Sequence, residues 1–95
     1  MSIENLVQKR DEILRIAEQH GAYNVRLFGS VARGEAGPDS DVGLLIDAGD
    51  KVSSWFPGGL VLDLEELLGR RVDVVEEVAL RSELRPYVLR EARPL

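Results

Sequence analysis

One junction constrains this chain more than any other: a strand-like run ending at Phe28 passes, without a spacer, into Gly29-Ser30 and then Val31-Ala32-Arg33-Gly34. Tyr23, Val25 and Leu27 alternate with Asn24 and Arg26, the period of a half-buried strand. Ser30 to Arg33 predicts a short helix stopping near Gly34. A strand that turns directly into a helix gathers unpaired backbone N–H groups and the positive helix end at one point, and such a point binds phosphate. Gly29 lets the backbone approach an anion closely, and the Ser30 hydroxyl can donate a further hydrogen bond. Taken alone, the pair reads at least as well as a tight turn with a serine cap.

The remaining elements surround that junction. Ile3, Leu6, Val7, Ile13, Leu14 and Ala17 recur at helical spacing after Ser2, which predicts one amphipathic helix over 3–19 with His20-Gly21 as its stop. Glu35 to Ser40 carries turn chemistry, including Pro38, and Val42 to Ile46 reads as a second strand with both faces mostly apolar. Pro57 opens a helix whose Leu60, Val61, Leu64, Leu67 and Leu68 share a face, and Gly69 closes it. Val72 and Val74 then alternate with Asp73 and Val75 in a third strand closed by Glu76-Glu77. Leu80 to Ala92 predicts a helical tail broken at Pro86, which starts a second short helix. The expected class is α+β, sandwich-like, in the order α-β-α-β-α-β-α, with a small mixed β-sheet flanked by helices.

Ninety-five residues, 44% of them hydrophobic, suit one domain over 1–95 with a thin core that an oligomer or partner would reinforce. The absence of Cys excludes disulfides and thiolate metal sites. Apolar runs such as Leu44 to Ile46 are far below the roughly 18 residues of a membrane span. With no signal-peptide pattern at the N-terminus, the expected location is the cytoplasm. A net charge of −5 argues against broad attraction to nucleic acid, while leaving local phosphate binding open.

Downstream of the junction stand two further carboxylates. Ser40-Asp41 follows ten residues after the Gly-Ser pair, and Asp73 lies thirty-two residues beyond Asp41. Asp41 at the start of one strand and Asp73 within its neighbour can face one place, where a divalent cation on a bound polyphosphate would sit. Asp41 on its own reads as a strand terminus, but Asp73 between Val72 and Val74 has to be solvated, paired or coordinating.

These residues, Gly29, Ser30, Ala32, Arg33, Gly34, Ser40, Asp41 and Asp73, resemble the minimal nucleotidyltransferase (MNT) branch of the DNA polymerase beta nucleotidyltransferase superfamily. The resemblance covers nearly the whole chain. It implies a nucleotidyltransferase fold, a nucleotide held by Gly29, Ser30 and Arg33, and Mg²⁺ held by Asp41 and Asp73, the expected catalytic acids. It further implies transfer of a nucleotide, AMP from ATP, to a protein or small-molecule acceptor, and a HEPN-domain partner in a toxin–antitoxin pair. The family pattern places a second carboxylate of Asp-x-Asp where this chain has Gly43, so the alternative is a degenerate protein that binds nucleotide or partner without turnover. Asp47 shares the strand parity of Asp41 but lies about 20 Å along the strand, too far to substitute. Asp39 would need its turn to fold back.

Other conspicuous residues carry plainer expectations. Arg33 contacts phosphate, stands as a solvated charge or pairs with Glu35, and Arg70 and Arg71 are expected to be solvated. His20 is expected to favour a helix end without a chemical role, and Trp55 and Phe56 to cover a small satellite core, the alternative being an exposed anchor for another protein.

Overall fold

A computed structural model describes residues 3–37 and 39–95; the expected Ser2 helix start, the Ile3 side chain and Pro38 of the turn lie outside the described residues. The first helix is two: α1, Ile3–Gln8, and α2, Arg10–Gln19, meet at Lys9. The break falls in the polar stretch Gln8 to Glu12 that separates the apolar groups around Leu6 and Ile13. Both anchors are fully buried. Lys9 spans the junction by donating from Nζ to the Leu67 carbonyl at 3.2 Å.

Strand β1, Ala22–Phe28, leads into α3, Ser30–Arg33. Strand β2, Val42–Ala48, is followed by α4, Gly58–Leu68, and β3, Val72–Glu76. A 3-10 turn at Glu77–Ala79, helix α5, Arg85–Glu91, and a two-residue strand β4, Arg93–Pro94, complete the order. The sheet is mixed, in the order β3-β2-β1-β4, with β2 parallel to β3 and β1 antiparallel to both β2 and β4. The parallel pair is joined through α4, as a parallel connection requires a crossover. Strand β4 and the 3-10 turn had no counterpart in the sequence expectation, because neither is long enough to show a period.

One face of the sheet packs its Val25, Leu27, Val42, Leu44, Ile46 and Val72 against α1 to α4. Leu60, Leu64 and Leu68 repeat every fourth residue of α4 and are buried, and Gly69, in the left-handed conformation, ends the helix. The opposite face carries Arg26, Phe28, Gly43, Leu45, Asp47 and Asp73, as the registers Phe28↔Gly43↔Asp73 and Arg26↔Leu45 dictate. No helix of the described residues is long and apolar enough to cross a membrane.

The expectations for two aromatic side chains fail. Tyr23 is 57% exposed rather than buried beside Val25, because the ladder is irregular between Tyr23 and Arg26 and Asn24 takes a positive φ of 52°, which shifts the alternation by one residue. Trp55 is 75% exposed, so only Phe56 of that pair packs against the core.

Candidate nucleotide site

The site is built where β1 ends and β2 and β3 begin. Gly29 adopts φ 81° and ψ −155°, a region essentially closed to residues with a Cβ, and this conformation turns the chain from β1 into α3. Gly29 is the N-cap and Ser30 already lies inside α3, with no side-chain cap bond among the described residues, so the serine-cap reading of Ser30 does not hold. Val31 and Ala32 anchor α3 in the core, and Gly34 ends it in the left-handed conformation.

The Gly29 amide is already engaged. It donates to Glu91 Oε1 at 2.7 Å, and Arg33 Nη1 lies 3.1 Å from both oxygens of the same carboxylate. Arg33 also reaches Glu35, with Nε 3.2 Å from Oε1. Its guanidinium pKa is raised above the ordinary value, first by the Glu91 hydrogen bond and then by the Glu91 charge, with desolvation opposing and Glu35 adding. Arginine is protonated throughout the working range, so the shift leaves its charge unchanged. The corner therefore accepts an anion, and the carboxylate that fills it comes from a residue the sequence reading did not single out. No local pattern could have marked Glu91, which is 62 residues from Gly29.

Asp41 and Asp73 lie on the same sheet face and at the same end. Val42 pairs with Val72 and Gly43 with Asp73, and the Val42 amide continues the ladder to the Arg71 carbonyl at 2.9 Å, which sets Asp41 beside Arg71. One step along a face is about 6.6 Å and neighbouring strands are about 4.8 Å apart, so the two aspartate Cα atoms are roughly 8 Å apart. Both residues are exposed. Asp41 Oδ1 meets Arg71 Nε at 3.3 Å, a solvent-screened pair of little stabilising value. Arg70, expected to be solvated, instead donates to the Ser40 carbonyl at 3.1 Å and shapes the turn before β2. A shallow groove is lined by Asp39, Ser40, Asp41, Gly69, Arg70 and Arg71, and its lining includes neither Gly29 nor Asp73.

Between these two acids sits Gly43, and its surroundings are filled. A Cβ at this position would stand 2.8 Å from the Phe28 carbonyl oxygen and 3.1 Å from Phe28 Cε1, so the phenyl ring covers the ground a side chain would need. Asp47 is at the far end of β2, where it meets Tyr23 in register and accepts from Asn24 Nδ2 at 2.9 Å. It takes no part in the site. Asp39 is exposed beside Asp41.

The donor chemistry sets what cation would fit. Among the described residues no three His, Cys, Asp or Glu side chains gather as a metal-holding group. Two exposed carboxylates match Mg²⁺, which takes one or two protein carboxylates and fills its shell with phosphate oxygens and water. They do not match a pair of metal ions sharing a central carboxylate, since position 43 offers no oxygen.

A mixed sheet with a Gly-Ser turn and acids from the two adjoining strands defines a nucleotidyltransferase fold. The chain belongs to the nucleotidyltransferase domain family, whose profile matches residues 10–95. It is 40% identical over 89 residues to the protein adenylyltransferase MntA of Thermococcus cleftensis, covering 94% of this chain and 88% of that protein. A solved structure provisionally named a minimal nucleotidyltransferase superposes with a TM-score of 0.87 at 48% identity, over 100% of this chain and 97% of the other. The MNT antitoxin complex with the tri-AMPylated HEPN toxin of Shewanella oneidensis shares the fold, with a TM-score of 0.64 at 20% identity over 96% of this chain and 69% of the other.

Proposed function

We propose that this protein, acting as one domain over 1–95 in the cytoplasm, holds ATP at Gly29, Ser30 and Arg33 and transfers AMP to a protein acceptor, a HEPN-domain toxin for which it is the antitoxin. The observation that carries the reading is the anion already seated on the Gly29 amide and Arg33, at the sheet end that also presents Asp41 and Asp73. The likeness to a protein adenylyltransferase supports adenylate as the group moved. The AMPylated HEPN toxin beside an MNT antitoxin of the same fold supports the choice of acceptor.

In this reading the Gly29 N–H and the Arg33 guanidinium bind phosphate oxygens and fix the triphosphate in place. Asp41 and Asp73 would hold Mg²⁺, which when bound neutralises charge on the phosphates. Asp73, exposed on its strand, stands ready to accept a proton from the attacking hydroxyl, and pyrophosphate leaves as the hydroxyl oxygen bonds to the α-phosphorus. Arg71, paired only weakly with Asp41, would give way to the cation.

Gly43 under the Phe28 ring favours a second reading, in which nucleotide or partner is bound without turnover. Incubating the protein with α-labelled ATP, Mg²⁺ and a HEPN-domain partner separates the two. Label on the partner supports transfer. Binding of either without label supports the second reading, and failure of ATP with Mg²⁺ to shift the Gly29 and Ser30 amide resonances counts against both.

A further inference from the structure

The registry of the last strand delivers Glu91 to the phosphate corner. Strand β4 pairs with β1 so that Arg26 faces Pro94 and Leu27 faces Arg93. Continued two residues along the antiparallel ladder, that register sets position 91 across from position 29, and there the Glu91 carboxylate meets the Gly29 amide at 2.7 Å. The approach is held from both sides. Glu91 is the last residue of α5, and Ala92, extended at φ −61° and ψ 134°, turns the chain into β4, whose anchorage continues where the Leu95 amide donates to the Val25 carbonyl at 3.2 Å.

Glu91 gives this corner what a phosphate would give it: one oxygen on a backbone N–H, two oxygens near a guanidinium, and a negative charge. Its side chain is 27% exposed and that of Arg33 is 46% exposed, so water and solutes can reach the contact. Resting on the nucleotide-binding reading above, we infer that Glu91 is a built-in competitor for the phosphate subsite, and that a polyphosphate enters only as the Glu91 carboxylate swings away from Gly29 and Arg33. The tether makes this competitor effective, because an attached group acts at a high local concentration without needing strong contacts. A phosphate that tried to share the corner would also meet a like charge at short range. The device belongs to the chain itself. Any partner that pulls α5 or β4 away from β1 would open the corner, and one that presses them down would close it.

Glu91→Gln tests this, since glutamine keeps the size and one acceptor oxygen but removes the charge; Glu91→Ala serves as a second variant, each checked for an unchanged far-ultraviolet circular dichroism spectrum. Inorganic pyrophosphate is the probe, titrated by calorimetry and by the amide resonance of Gly29 and the side-chain resonance of Arg33. The expected result is binding about tenfold tighter in both variants than in the unaltered protein, in line with losing one charge-assisted competitor. Equal or weaker pyrophosphate binding in the variants overturns the inference, because Glu91 would then merely orient Arg33. ATP is titrated in parallel. If pyrophosphate gains affinity in the variants while ATP binds none of the three proteins, the competitor stands and the ATP reading falls; if ATP binds all three equally and pyrophosphate shows no gain, the reverse holds.

Discussion

The phenyl ring of Phe28 lies against the bare Cα of its strand partner Gly43, close enough that a Cβ there would stand 3.1 Å from Cε1 and 2.8 Å from the Phe28 carbonyl oxygen. Gly43→Ala is therefore expected to lower stability by about 1–3 kcal/mol, the usual penalty for overpacking a closed site. Urea unfolding measures it. Phe28→Leu in the same chain should recover part of the loss, and a double-mutant cycle showing no coupling would contradict the contact. For the same reason Gly43→Asp alone is not expected to create a well-ordered third carboxylate.

Asp73 projects into solvent, so Asp73→Asn should leave stability within about 0.5 kcal/mol of the parent. Its effect is expected on the cation instead. The variant should bind ATP about tenfold more weakly in the presence of Mg²⁺ and equally well with the Mg²⁺ chelated. Calorimetry with and without chelator separates the two arms, and equal weakening in both would remove Asp73 from the cation site.

Arg26 is a buried cation that serves three acceptors: the Asn24 carbonyl at 2.9 Å, Asp47 at 3.4 Å, and Glu77. Glu77 also accepts from Arg85 at 2.8 Å, which ties the segment after β3 to the start of α5. Arg26→Met leaves two half-buried acids short of a partner and should lower stability by roughly 2–4 kcal/mol. Arg26→Lys should restore little of it, because an ammonium cannot present donors along several directions in one plane.

His20 bridges three elements, with Nδ1 2.6 Å from Ser53 Oγ and Nε2 2.7 Å from Asp63 Oδ2. The ring thus has a structural role that the sequence expectation missed. His20→Ala should remove about 1–2 kcal/mol, and hydrogen exchange should quicken at Ser53 and Phe56 rather than in β2. Uniform quickening across the sheet would show that the bridge is not local.

Elements whose evidence is local are legible in the sequence itself. Leu60, Leu64 and Leu68 announce α4 by spacing alone, and Ser30 to Arg33 between two glycines announces α3. The mixed sheet is legible in the short strand connections, and the shared end for Asp41 and Asp73 in their places at the start of one strand and within its neighbour. What was hidden depends on distant partners. Arg26 reads as a solvent-facing strand residue until Glu77, 51 positions on, neutralises it, and Tyr23 reads as buried until Asn24 rephases the strand. Glu91 is one more charge on a polar helix until the β1–β4 register brings it to Gly29. The pairing of Phe28 with Gly43 is similar: a missing carboxylate is visible in the letters, but a ring lying in its stead is not.

Strand β3 is one of the two edge strands of the sheet, and an edge strand offers a template on which a foreign strand can grow. Here the first rung of that template is taken: the Val72 amide donates to Glu65 Oε2 of α4 at 3.0 Å. With Asp73 next to it as an exposed charge, the strand that bears a proposed cation ligand is also guarded against edge-to-edge aggregation. Removing the Glu65 carboxylate would thus threaten solubility on concentration before it disturbed nucleotide affinity.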